Sequence, residues 1–151
     1  MVSFVYNTGD QEIIDRTIDL IANTLKIMLV TSSYVANKDD DVVDAAGVND
    51  PVDHEINVTG YTRGWGGAGR KTLASKLLTI DKTNDRTGFD CADITWTALG
   101  AGATIAAAIL IKEGAANDTT SRLIAYLDIT DTPTNGGDIT LTIADLIRWA
   151  N

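Results

Sequence analysis

Between Gly64 and Thr72 the chain reads Gly-Trp-Gly-Gly-Ala-Gly-Arg-Lys-Thr, one residue away from the glycine-rich loop that cradles nucleotide phosphates. That loop needs a lysine directly after its second framing glycine, where the ammonium reaches the β- and γ-phosphates, and it follows a strand and opens a helix. Here Arg70 stands between Gly69 and Lys71, and Thr72 to Asp81 reads as a strand with Leu73, Ser75, Leu77 and Thr79 on one side. The segment is expected to be a surface loop, and nucleotide hydrolysis built on Lys71 is a remote alternative. Arg63, Trp65, Arg70 and Lys71 nonetheless concentrate basic and aromatic groups in an acidic chain. Arginine and tryptophan are over-represented at the centres of protein interfaces, so the loop is a candidate subunit contact. Trp65 folded back over the core edge is the competing reading.

Other chemistry-bearing residues do not assemble into a site. Asn37, Asp39, Asp40 and Asp41 resemble the start of a calcium loop, but the glycine at the sixth position and the bidentate glutamate at the twelfth are missing, so a solvated loop is expected. Asp90, Asp93, Asp128 and Asp131 flank strands and would do acid/base work only if the fold gathered them in a cleft. His54 is the single histidine, which excludes a three-histidine metal centre, and a cysteine–histidine pair would require it to meet Cys91 across the fold. A small buried thiol in a strand is the expectation for Cys91. No catalytic residue, cofactor or metal is therefore expected.

The elements that must hold these residues are mostly strands. Asp10 to Arg16 carries helix-start chemistry, with Thr8 or Asp10 able to cap, and a short extended piece is expected after it. Residues 10–22 remain open between helix and strand, because Ile13, Ile14, Thr17, Ile18 and Ile21 share a helical face while Ile18 and Leu20 alternate with Thr17 and Asp19. Thr24 to Thr31 has the pattern of a core strand covered on both faces. Residues 34–60 read as a long loop or insertion, with a short helix around Asp41 to Ala46. Further strands are expected at Thr72 to Asp81, Thr87 to Thr97, Ile105 to Glu113, Arg122 to Ile129 and Ile139 to Ile143, separated by turn clusters such as Asn135-Gly136-Gly137. Asp145 to Asn151 reads as a helical turn that docks Trp149 on the core. Strands recurring between tight turns, with no βαβ alternation, predict a mainly β chain: an antiparallel β-sandwich, jelly-roll or Greek-key-like, with one or two short helices.

Composition sets the outer limits. A chain of 151 residues with 44% hydrophobic and 22% charged residues fits one folded domain, 1–151, with an N-terminal arm or helix over 1–23. A formal charge of -9 repels a phosphate backbone and an anionic membrane, so neither nucleic acid nor membrane is expected as partner. The apolar run Ala101 to Ile111 falls short of the roughly 20 residues that span a bilayer, and no secretion signal is expected at the N-terminus.

Several segments together resemble a group of small structural proteins of tailed bacteriophages: Thr24-Leu-Lys-Ile-Met-Leu-Val-Thr-Ser-Ser-Tyr34, Gly60-Tyr-Thr-Arg-Gly64, Arg70-Lys-Thr-Leu73 through Ile80, Phe89-Asp90 to Asp93-Ile-Thr-Trp96, and Leu123-Ile-Ala-Tyr-Leu-Asp128 with Asn135-Gly-Gly137. The resemblance runs from Thr24 to Ile143 and rests on core strands and turns, with a departure over the first 23 residues. It implies a non-enzymatic virion component that decorates and cements the capsid, with the major capsid protein as partner and a homotrimer as the oligomer, assembled in the bacterial host cytoplasm. A tail, fibre or baseplate component is the alternative. On that reading the contact elements are the Arg63 to Lys71 loop, the N-terminal arm Val2 to Asn7 with Phe4 and Tyr6, and the acidic loop Asp39 to Asp53.

Overall fold

A computed structural model describes residues 3–150 of the chain. Strand β1 (Phe4–Val5) leads into helix α1 (Asn7–Ile14), and β2 (Lys26–Thr31) precedes a long irregular segment containing a 3-10 turn at Pro51–His54. There follow β3 (Lys71–Thr72), β4 (Leu77–Asp81), β5 (Arg86–Asp90), β6 (Ile94–Trp96) and β7 (Thr104–Lys112). A 3-10 turn at Asp118–Thr120 then leads to β8 (Arg122–Pro133), β9 (Ile139–Leu141) and β10 (Ile147–Ala150). The chain is mainly β and its pairings are antiparallel, in three sheets ordered β1-β8-β7-β2-β3, β10-β5-β4 and β6-β9.

The five-stranded sheet is covered on both faces at its centre, where β2, β7 and the first half of β8 carry runs of consecutive apolar residues. In β2, Ile27 and Leu29 join one core cluster while Met28 and Val30 join the other. Burying each such side chain stabilises the fold by roughly 1.5–3 kcal/mol. The first cluster is closed by the two smaller sheets, through Phe89, Ile94, Trp96 and Ile147, which makes a sandwich-like packing. The second is closed by Tyr6, Tyr34 and Val43, so the long segment after β2 serves as a lid over that face.

Several expectations change. Helix α1 starts at Asn7 and no side chain caps it; Thr8 donates instead to Asp41, tying the acidic loop to the helix. Beyond Ile14 the chain is neither helix nor strand. Arg16 adopts a left-handed φ of 66°, and the carboxylates of Asp15 and Asp19 accept backbone N–H groups of Thr17, Ile21 and Ala22, local bonds that compete successfully with either regular ladder. The expected helix around Asp41 to Ala46 is absent; Val42 bridges Arg122, and the 3-10 turn forms at Pro51, where proline presets φ. The two expected long strands over 72–81 and 87–97 each break and pass between sheets, the first at Ser75 with φ 52°. The C-terminal segment forms β10 against β5 in place of a helical turn, and Trp149 packs on the core from that strand.

Candidate functional site

The glycine-rich loop folds around a buried arginine. Arg70 is 3% exposed, and its guanidinium grips two carboxylates at once. Nε and Nη2 donate to Glu55 at 2.9 and 2.8 Å, while Nη1 and Nη2 donate to Asp118 at 2.6 and 3.0 Å. Glu113 lies 3.6 Å from Nη1 and pairs in turn with Lys26. The remaining capacity of Glu55 is taken by the Tyr61 hydroxyl at 2.8 Å and the Gly64 N–H at 2.9 Å. Burial by itself would lower the pKa of Arg70, but its hydrogen bonds and charge attraction to Glu55 and Asp118 outweigh this and raise it. Tyr61 is held neutral, chiefly by burial and then by the neighbouring Glu55 charge.

The local sequence explains why the loop can wrap so tightly. Gly64 and Gly66 take φ of 84° and 70°, a region closed to most side chains, and Gly69 lies flat against the Tyr61 ring where a Cβ would not fit. The Gly69 carbonyl accepts from the Trp96 indole at 2.6 Å. Gly64 and Gly66 thus serve the backbone turn and Gly69 serves close packing. Lys71 and Thr72 continue into β3 beside Ile27 and Lys26, so no helix N-terminus faces the loop and the phosphate-loop resemblance ends at the sequence.

The candidate contact residues therefore separate. Arg70 and Tyr6 are corrected from contact residues to interior ones: Tyr6 is 0% exposed and bonds the Tyr34 hydroxyl at 3.0 Å. Phe4 is half-buried, stacked on Tyr126 with centroids 5.3 Å apart, and Lys71 is half-buried in β3. Arg63 is exposed and makes no ion pair among the described residues. Trp65 is 45% exposed, and its indole N–H donates to the Gly114 carbonyl at 2.7 Å, which ties the ring back to its own chain. Val2 lies outside the described residues.

The remaining chemistry-bearing groups stay apart. His54 sits by Tyr34, 6.0 Å between ring centroids, whereas Cys91 lies in the cluster on the other face of the central sheet. Cys91 falls between β5 and β6 rather than within a strand, and burial, helped by Asp90 and Asp93, pushes its thiol up to about 11, away from thiolate reactivity. Asp90 and Asp93 accept backbone N–H groups of Cys91 and Ile143, as turn residues do. Asp40 accepts from Tyr34 at 3.0 Å, and Asp39 from Asn7 at 2.6 Å, so the acidic loop is pinned to its own domain. Among the described residues no group of three or more potential metal ligands gathers, and no helix is long and apolar enough to cross a membrane.

Two features escaped sequence reasoning. Glu55 and Asp118 gave no signal, since their partner is distant in the chain. The other is an apolar groove of about 560 Å³ between the end of α1, the turn after it and the β10-β5-β4 sheet, lined by Ile13, Ile14, Ile21, Leu78 and Trp149 with Asp10 and Asp19 at its rim. Three apolar residues within five on β4 were a usable hint, because an edge strand ordinarily carries more polar positions. Comparison with family models, with curated proteins and with solved structures finds no match to this chain.

Proposed function

We propose that this protein is a non-enzymatic virion component of a tailed bacteriophage, a decoration protein that binds and cements the major capsid protein lattice. One observation carries the reading: the densest group of ionisable side chains, around Arg70, is saturated by its own chain, while the exposed elements offer surface for neighbours. Four of the five guanidinium N–H groups are bonded to Glu55 and Asp118, and Glu113 lies 3.6 Å from Nη1, so the buried cation is already engaged by its own chain. Arg63 and Trp65, both exposed, lie two positions apart on the loop that this buried cluster anchors, and arginine and tryptophan are the residue types enriched at binding hot spots. The sequence resemblance from Thr24 to Ile143 supplies the virion setting. A subunit that binds only the assembled shell stabilises it by mass action, so many modest contacts suffice.

The test is to add purified protein to undecorated capsids and measure occupancy together with the temperature at which the shells rupture. Saturable binding that raises this temperature, and that weakens in Arg63→Glu, is the expected result. Absence of binding, with the protein found on tails of intact particles, transfers the assignment to a tail or fibre component.

A further inference from the structure

At the end of the central sheet where β7 leaves and β8 begins, a polar cleft of about 420 Å³ opens against the C-terminal half of α1. Glu12, Thr17, Lys112, Gly114, Thr120 and Arg122 line it, and its size falls within the roughly 300–1,000 Å³ of small-ligand sites. The lining has bonds left to make. Arg122 donates to Glu12 through Nε at 2.8 Å and Nη2 at 2.5 Å, but both bonds fall on Oε1, so Oε2 is buried without a hydrogen-bond partner. The Arg122 Nη1 group donates to nothing among the described residues, and the Lys112 ammonium uses one of its three protons, on the Thr17 carbonyl at 3.1 Å. Glu113, also in the wall, is spent, since it pairs with Lys26 and accepts the Gly66 N–H at 3.0 Å. Lys112 and Arg122 against Glu12 and Glu113 leave the cleft without net charge, so it offers donors and acceptors and selects no ion. An aromatic ring stands at the same wall. Trp65 donates its indole N–H to the Gly114 carbonyl at 2.7 Å, which fixes the ring beside the turn that bounds the cleft, and 45% of the residue stays exposed.

We infer that the cleft and Trp65 together form a binding site for a neutral oligosaccharide. A sugar hydroxyl donates and accepts at once, so one hydroxyl set between Arg122 Nη1 and Glu12 Oε2 makes both missing bonds, and a buried carboxylate oxygen left unpaired is costly enough to favour the exchange. A turn about the last side-chain torsion of Glu12, which is soft in glutamate, brings Oε2 to the cleft. Lys112 and the hydroxyls of Thr17 and Thr120 serve further sugar hydroxyls. A sugar also has a ring face that carries only C–H groups and needs cover. The electron-rich face of an indole supplies it, because those hydrogens carry slight positive charge. A simple carboxylate or phosphate would meet Glu12 as a like charge, and a lone cation would meet Lys112 and Arg122 in the same way. With the cleft holding one ring and Trp65 standing beside it, a chain of sugar rings binds better than a single one. The site does not depend on the decoration role, which is tested through Arg63 on capsids.

The experiment uses the full-length protein alone, without capsids, titrated with maltotriose, cellotriose and triacetylchitotriose and with their monosaccharides, and followed by calorimetry and tryptophan fluorescence. At least one trisaccharide should bind saturably, with a dissociation constant in the millimolar range or below and tighter than its monosaccharide. The accompanying change in emission should disappear in Trp65→Ala, since Trp96 is buried. Trp65→Ala and Lys112→Met should each weaken binding at least about tenfold. Lys112 forms no ion pair among the described residues, so Lys112→Met should keep the circular dichroism and denaturation midpoint of the parent. Lys82→Met makes the same charge change outside the cleft and should leave binding intact. Absence of saturable binding by all three trisaccharides overturns the inference, as does binding indifferent to both Trp65→Ala and Lys112→Met. Tighter binding of inorganic phosphate or of trilysine than of every trisaccharide overturns it too, by making the cleft an ion or peptide site. A protein that binds saccharide and not capsids keeps this site and loses the decoration role, whereas the reverse result removes only the site.

Discussion

The loop from Gly60 to Lys71 and the hairpin from Leu77 to Asp90 are neighbours in sequence and opposites in physics. The loop holds the residues that attract attention, glycines, two arginines and a lysine, and the fold turns Arg70 inward to pair with two carboxylates. The hairpin holds ordinary strand residues, and the fold leaves three of its apolar side chains facing outward. Conspicuous chemistry here serves the interior, and inconspicuous apolar surface serves the exterior. A charged side chain is informative about function only after its partners are known, because a saturated ion cluster and an active site are composed of the same residues.

Breaking the loop should cost most. Arg70→Met leaves Glu55 and Asp118 buried without their cation, and chemical denaturation should show a loss of about 3–5 kcal/mol. Arg70→Lys should recover only part, since an ammonium cannot bond two carboxylates bidentately. The hairpin offers no such target, and a variant there with a comparable loss would erase the contrast.

The second measurement is stability against alkaline pH. Burial raises the pKa of Tyr6 and Tyr61 above the ordinary value of 10.0, so the folded state keeps phenolic protons that the unfolded chain releases. Stability should stay flat below about pH 9. It should then fall above pH 10 by about 1 kcal/mol per pH unit for each tyrosine held neutral, with tyrosinate absorbance appearing together with unfolding. Tyrosinate absorbance that develops fully before unfolding would show these hydroxyls to be solvated.

Gly69→Ala sets a Cβ against the Tyr61 ring and should cost about 1–3 kcal/mol in denaturation midpoint terms, through overpacking of the loop's seat. Smallest of all, Ile80→Thr should change unfolding free energy by less than about 0.5 kcal/mol at dilute concentration, because the side chain has little to lose in the single chain. A large loss at dilute concentration would mean that Ile80 is part of the folding core and not exposed surface.

Much of the architecture could be read from pattern. The segment Lys26–Thr31 is apolar at consecutive positions, and a strand buried on both faces can accept no other pattern. Strands form at Thr104–Lys112 and Arg122–Pro133 where turn residues bound apolar runs, the second continuing past its expected end at Ile129. The stretch 15–23 defeats pattern reading because Asp15, Asp19 and Asn23 offer the backbone local side-chain acceptors, and periodicity does not register those. Likewise Ile147–Ala150 becomes a strand because β5 has a free edge to pair with, a fact external to its own residues.

Hydrophobic spacing and turn chemistry are local, so the chain alone determined that it would be mainly β, with a doubly covered central strand and a glycine loop unfit for phosphate. Partnership across distance is a property of three dimensions. Only the tertiary structure decided that Arg70 meets Glu55, 15 positions away, and Asp118, 48 positions away, and that Leu78 and Ile80 remain uncovered beside a groove. Which charges are neutralised and which apolar groups stay wet depends on what the rest of the chain brings near them, and no window of sequence contains that information.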